Sequence, residues 1–310
     1  MKTKKKWVIL GLFAIGIGVL LASQNLFSNQ RQSKNEVIKI GTMNTTESQI
    51  VGNIISELMT HRSTQKTMMV NNLGSSSVAH QAMLRGDIDI SATRYTGTEI
   101  AATLNQPAIF NQQEAQKVVK KAFTERFNQT WFDTYGFSNT YVLLVTPKVA
   151  EKYHLKTISD LAKVSSKLTM AVDSSWFEKS GDGYDAFVKK YQTNFKRILP
   201  MQIGLVYPSV SKGNVDVAMG YSTDSRIMSS HLVMLKDDLH FFPAYDTSMV
   251  VSNELLKRQP QLKATLNKLI GQINLEEMQK LNYQVDHQGL APEKVAHDYL
   301  MENNYFQGGK

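Results

Sequence analysis

The sequence predicts an α/β protein of two similar lobes, each a largely parallel sheet covered by helices. Three observations predict it. First, a phrase occurs twice: Arg85-Gly86-Asp87-Ile88-Asp89-Ile90 with Tyr95-Thr96 beyond it, and Lys212-Gly213-Asn214-Val215-Asp216-Val217 with Tyr221-Ser222 beyond it. Each copy is a basic residue, a glycine, a short aliphatic strand with an Asp, and a loop carrying Tyr and a hydroxyl. Second, short apolar runs alternate with helical stripes, the pattern of a parallel sheet with helices on both faces. Third, 310 residues at 42% hydrophobic and 20% charged content are enough for two cored domains.

The elements follow in order. Val37 to Gly41 is a short strand. Asn44-Thr45-Thr46-Glu47 has the form of a capping box, with Asn44 accepting a first-turn N–H and Glu47 reaching back. Behind it, Ile50, Val51, Ile54, Ile55, Leu58 and Met59 make the stripe of a helix packed on a sheet. Met68 to Val70 is a strand. Gly74 to Ser77 opens a helix that stops at Gly86, a C′ glycine, and Ile88 to Ser91 is the third strand. A second series begins with strands at Tyr141–Val145, Leu168–Val172, Met201–Ile203 and Val215–Met219. Helices near Ile158–Lys163, Tyr184–Tyr191 and Ser209–Lys212 separate them. Met249–Val251 returns to strand, and the tail is helical over Pro260–Ile270, Leu275–Asn282 and Pro292–Met301, with prolines at two of the three starts.

The N-terminus reads as an address. Met1 to Lys6 is basic, and Trp7 to Ala22 is uncharged and largely apolar. The run lies between a secretory h-region and a spanning helix in length. Leu21-Ala22-Ser23-Gln24 looks like a bacterial lipobox with Gln24 in place of the lipidated Cys. The expectation for 1–23 is therefore a retained anchor that spans with some bilayer thinning, or a secreted protein if it is cleaved. Either way the basic end stays inside and the body lies outside the cytoplasmic membrane. Residues 24–36 are a polar tether. At the other end, Glu302 to Gly308 resembles a protease-site tag, departs from it at Asn304, and carries no functional reading.

Composition excludes several classes. Lys2, Lys4, Lys5 and Lys6 hold four of the +8 net charge, and the rest is a mildly basic surface without basic runs interleaved with aromatics, so no nucleic-acid partner is expected. With no cysteine there is no disulfide, thiol nucleophile or Cys-based metal site. The seven histidines form no ligand-spaced cluster, and there is no HExxH, Gly-rich phosphate loop or G-x-S-x-G elbow. Gly181-Asp182-Gly183 lacks the alternating acids of a calcium loop. No cofactor, metal or catalytic group is expected, and a transmembrane sensor would need a larger cytoplasmic part than Met1–Lys6.

In open α/β sheets ligands bind beyond the carboxyl ends of strands, where both copies of the phrase put their tyrosine. Six motifs then resemble one family: Ile40-Gly41 with Thr45-Thr46-Glu47; Asn72-Leu73-Gly74-Ser75-Ser76; Arg94-Tyr95-Thr96-Gly97-Thr98; Ser138-Asn139-Thr140-Tyr141; Asp173-Ser174-Ser175-Trp176 with Gly181-Asp182-Gly183-Tyr184; and Met219-Gly220-Tyr221-Ser222-Thr223-Asp224. From Val37 onward the chain resembles the osmoprotectant-binding proteins of ABC importers, which take up glycine betaine, choline and carnitine. The resemblance implies a two-lobed periplasmic-binding-protein fold of type II that closes like a hinge about two crossing strands. Lobe I is then 37–138 plus 247–305, and lobe II is 139–246. It also implies a separate permease subunit and ATPase as partners.

The resemblance further implies that Tyr95, Tyr141, Tyr221 and Tyr245 form an aromatic cage for a trimethylammonium head. A quaternary ammonium has no N–H to donate, so ring faces recognise it through the quadrupole. Four desolvated rings supply roughly 4–8 kcal/mol at about 1–2 kcal/mol each, and micromolar affinity needs about 8 kcal/mol. For the ligand's polar end, Thr98 matches a family hydroxyl, Asn139 is a second contact, and Lys179 faces a carboxylate. Met43 stands where relatives often carry a polar contact, a departure that favours choline or carnitine over glycine betaine. Tyr184, Tyr207 and Trp176 read as packing residues. The alternative is a protein of the same fold for an amino acid or oxyanion, which predicts acids or an Arg pair in the cleft.

Overall fold

Gly86 and Gly213, the glycines of the doubled phrase, both adopt left-handed backbone, at φ 73° and 72°. Each reverses the chain after a helix and feeds it into the middle of a sheet. In both copies the following Asp then fixes a neighbouring strand: Asp89 Oδ2 accepts from Lys39 N at 2.9 Å, and Asp216 Oδ2 accepts from Thr169 N at 2.8 Å. The return bonds, Asp89 N to Lys39 O at 2.8 Å and Asp216 N to Thr169 O at 3.0 Å, complete matching clasps. These aspartates are structural, as strand-end residues should be.

The computed structural model describes residues 37–63, 65–179 and 182–307. The expected anchor and tether lie outside the described residues. Among those described, no helix is long and apolar enough to cross a membrane. The first part of the chain runs β1 (Val37–Met43), α1 (Thr46–Ser63), β2 (Lys66–Leu73), α2 (Ser76–Arg85), β3 (Ile90–Tyr95), α3 (Thr96–Ala102), α4 (Gln112–Phe127) and β4 (Gln129–Trp131). The second runs β5 (Tyr141–Val145), α5 (Pro147–Tyr153), α6 (Ile158–Val164), β6 (Thr169–Asp173), α7 (Ser174–Phe177), α8 (Tyr184–Tyr191), β7 (Arg197–Met201), α9 (Ile203–Ser211), β8 (Val217–Tyr221), α10 (Ser225–Ser229) and β9 (Val233–Leu235). The tail adds β10 (Thr247–Ser252), α11 (Asn253–Arg258), α12 (Gln261–Leu266), α13 (Leu275–Asp286) and α14 (Pro292–Glu302).

Two five-stranded sheets result, ordered β2-β1-β3-β10-β4 and β7-β6-β8-β5-β9. In the first, β1 is parallel to β2 and β3, and β10 runs antiparallel between β3 and β4. In the second, β6 is parallel to β7 and β8, and β5 runs antiparallel between β8 and β9. The orders correspond strand for strand, with β3 and β8, the strands of the doubled phrase, central in each. Apolar side chains fill both faces of each sheet, so each lobe has its own core. This is the two-lobed α/β architecture expected from the sequence.

The chain passes between sheets twice, between β4 and β5 and between β9 and β10. The two crossings pair: Ser138 and Asp246 form an antiparallel bridge, with Asn139 N donating to Tyr245 O and Thr247 N to Phe137 O, each at 3.1 Å. A further link comes from the tail. Helix α13 packs on both α1 and α10. From it Gln279 Nε2 donates to Ser222 O at 2.6 Å and Asn282 Nδ2 to Thr223 O at 2.9 Å, holding the loop that follows Tyr221.

Two local expectations are corrected. Met201–Ile203 is not one strand: β7 ends at Met201, Gln202 takes the extended N-cap conformation, and Ile203 begins α9, of which Ser209–Ser211 is the last turn. The capping box at α1 is also absent as drawn. Thr45, not Asn44, caps the helix, its Oγ1 accepting from Ser48 N at 3.3 Å. Glu47 turns away from the cap because Tyr95 and Asn139 bind its carboxyl.

Candidate ligand-binding site

The register of β5 against β8 sets Tyr141 opposite Tyr221 at the strand ends. Directly paired residues bring their side chains together, and the two ring centroids lie 5.3 Å apart with planes at 35°. Tyr245, on the second crossing, meets Tyr141 edge-on at 6.0 Å and 86°. Three of the four predicted cage tyrosines therefore form a contiguous aromatic wall. Trp176 and Phe242 stand behind Tyr141, at 6.2 Å and 5.7 Å. Trp176 is buried and anchored by Nε1–H to Asp182 O at 2.9 Å, so it is a packing residue as expected.

Backbone economy at two glycines makes the wall possible. Tyr207 Oη accepts from Tyr221 N at 2.8 Å. It can do so because Gly220 has no side chain, since a Cβ there would lie 2.6 Å from that hydroxyl. A Cβ on Gly97 would lie 2.8 Å from both Ala244 O and Tyr245 Cε1, so glycine lets the Tyr245 ring settle against α3.

Burial, then the nearby Asp182 and Asp173, pushes the Tyr141 phenol up to about 12. Burial likewise raises Tyr221 and Tyr245. These rings stay neutral at physiological pH and present unionised faces.

A cation already sits against this wall. Lys179 Nζ lies 5.1 Å from the Tyr141 centroid and 5.9 Å from that of Tyr245, within cation–π range. Asp182 holds it at 2.7 Å, and it donates to Tyr245 Oη at 3.3 Å. Desolvation alone would lower the Lys179 ammonium, but Asp182 and Tyr245 outweigh it and hold its pKa above the ordinary value. Lys179 faces a carboxylate, and that carboxylate is the protein's own.

Tyr95 lies at the end of β3, half-buried, and among the described residues no ring stacks on it. Its hydroxyl donates to Glu47 Oε1 at 2.8 Å. Asn139 Nδ2 reaches the same oxygen at 3.5 Å. Thr98 is half-buried on α3, one turn beyond Tyr95. Met43 is buried at the end of β1, its N–H bound to Ser48 Oγ at 2.9 Å. Glu47, Asp182 and Phe242 are the residues that sequence reasoning missed here. Glu47 stood in plain view within a family motif but carried a competing reading as a cap. Among the described residues, no group of acids and histidines is arranged to hold a metal.

Two lobes joined by paired crossings, with an aromatic wall where strand ends meet the second crossing, define a solute-binding protein of the hinge-closing class. The chain matches the OpuAC family, the substrate-binding domain of ABC-type glycine betaine transport systems, over residues 36–302. It belongs to that family. It is 51% identical over 311 residues to the carnitine transport binding protein OpuCC of Listeria monocytogenes, covering 98% of this chain and 99% of that one. It is 32% identical over 297 residues to the ergothioneine transport permease/ergothioneine binding protein EgtU of Helicobacter pylori, covering 96% of this chain and 53% of that protein. A crystal structure of a glycine betaine/carnitine/choline ABC transporter superposes with a TM-score of 0.84 at 46% identity, covering 87% of this chain and all of that one.

Proposed function

We propose that this protein is the extracytoplasmic receptor of an ABC importer and captures quaternary ammonium osmoprotectants such as carnitine, choline and glycine betaine. The observation that carries this reading is the ammonium of Lys179 resting on the faces of Tyr141 and Tyr245. Rings that hold one cation in a partly buried wall offer the same quadrupole to a trimethylammonium head. Tyr141, Tyr221 and Tyr245 form the wall. Tyr95 closes the cage from the other lobe when ligand is present, and Thr98 and Asn139 meet the ligand's polar end. Met43 lines that end without charge. Lys179 yields its place to the ligand's head and stays near its tail.

In this reading lobe I is 37–138 plus 247–305 and lobe II is 139–246, closing about the Ser138–Asp246 bridge. The protein binds and delivers without chemical change. A membrane permease receives the ligand, an ATPase drives the transfer, and the N-terminal segment keeps the receptor at the outer face of the membrane.

A calorimetric panel of carnitine, choline, glycine betaine and ergothioneine, with leucine and sulfate as controls, tests this. The expected result is binding in the micromolar range, about 8 kcal/mol, for at least one trimethylammonium compound and none for the controls. Binding of leucine or sulfate with no trimethylammonium compound bound would favour the alternative ligand class.

A further inference from the structure

Glu47 is a buried acid that reaches the cage through the Tyr95 hydroxyl. Only 4% of its surface is exposed. One oxygen receives Tyr95 Oη–H at 2.8 Å and Asn139 Nδ2–H at 3.5 Å. The other, Oε2, is buried with no hydrogen-bond partner. The Thr223 side chain, from the opposite lobe, stands beside the carboxylate and favours its charged form but brings no positive charge. Burying an acid this way is costly unless a positive charge compensates it. The neighbouring charges do not. The crevice around Glu47 is lined by Asn139, Tyr221, Thr223, Asp224 and Asp286. Arg226 is committed to Asp224 by bonds of 2.8 and 2.6 Å, and Lys179 is paired with Asp182. Glu47 also forgoes the cap that its position in Asn44-x-x-Glu47 would allow. Local rules tend to be broken where function demands it.

We infer that Glu47 is the counter-charge of the ligand's cationic head, acting through Tyr95 as the residue that positions that ring and supplies the negative charge its site lacks a partner for. The inference rests on the trimethylammonium reading. A carboxylate accepting from a phenol O–H also enriches the ring that it holds, so Glu47 would favour a cation over an uncharged ligand of the same shape.

Burial raises the Glu47 carboxyl above its ordinary range, against the lowering effect of Thr223, Tyr95 and Asn139. A bound cation favours the ionised form and so lowers that pKa. At a pH between the free and bound values, binding expels a proton, and affinity rises with pH through the free value. Choline and carnitine do not titrate there. Asp173, Asp182, Asp224, Asp286, Arg226 and Lys179 remain in a Glu47 variant, so any proton release they cause persists in it.

The test is calorimetric titration of the full chain with choline and with carnitine at pH values stepped upward from the ordinary glutamate range, in buffers of differing ionisation enthalpy. Wild type is expected to release protons on binding. Glu47→Gln, which keeps an acceptor for Tyr95 but no charge, should bind at least roughly tenfold more weakly and lose that proton release. Glu47→Asp should recover part of both. Wild-type affinity in Glu47→Gln, or proton release unchanged by it, would overturn the inference while leaving the cage intact. Wild type that binds neither these probes nor the other trimethylammonium compounds of the panel would overturn the trimethylammonium reading and this inference with it. If Glu47→Gln does not fold, absence of proton release by wild type overturns the inference alone.

Discussion

Replacing Tyr141 with alanine is expected to weaken trimethylammonium binding by roughly thirty- to hundredfold, about 2–3 kcal/mol, with the fold retained. Tyr141 is the hub of the wall. It touches Tyr221, Tyr245, Trp176 and Phe242 and carries the Lys179 ammonium on its face. Its loss removes one cation–π partner and lets the other two rings relax into the vacated space. It is half-buried at a strand end, and the strand's pairing continues through Val142 to Val145, so unfolding should not follow. Tyr141→Phe keeps the ring face and should retain affinity within about threefold, since the quadrupole of the face is the part that binds. Titration calorimetry reads both. Equal losses in the two variants would show that the hydroxyl, not the face, holds the ligand.

The second large effect concerns stability. Arg94 and Glu99 are fully buried and form a fork, Nε to Oε1 at 2.8 Å and Nη2 to Oε2 at 2.5 Å. Thr103 also donates to Glu99, and the guanidinium lies 5.5 Å from the Phe123 ring centre. This pair locks β3 to α3 and so fixes the junction where Tyr95 ends the strand and Thr98 stands in the first turn of the helix. Breaking a buried pair leaves an uncompensated charge and costs about 3–5 kcal/mol. Glu99→Ala should therefore lower the thermal midpoint by roughly 6–20 °C. Replacing both partners by apolar residues, Arg94→Met with Glu99→Leu, should cost less than the single change. Scanning calorimetry decides. A single variant melting with the wild type would mean that the pair is dispensable.

Much of this was legible in the sequence because the signals were local. Gly86 and Gly213 mark chain reversals that only glycine adopts easily, and the strand after each is central in its sheet. The helix over Tyr184–Tyr191 and the strand over Tyr141–Val145 fall where their periodicity places them. What the residues alone did not yield is tertiary. Tyr141 and Tyr245 are 104 positions apart in numbering, and only the family resemblance named them together. Lys179 and Asp182 are three apart, yet the pair sits against the rings of Tyr141 and Tyr245, which are distant from it in sequence. Glu47 shows the limit most clearly. Its spacing from Asn44 fitted a helix cap, and a distant phenol on β3 overrode it. No local pattern announces that a glutamate prefers a partner 48 positions away.

Whether a trimethylammonium head binds on the faces of these tyrosines is decided by a crystal structure of the protein with carnitine. The quaternary nitrogen is expected within about 6 Å of the ring centroids of Tyr141, Tyr221 and Tyr245, with Lys179 Nζ displaced from the Tyr141 face. Carnitine bound with its ammonium in solvent, and Lys179 still resting on Tyr141, would contradict it.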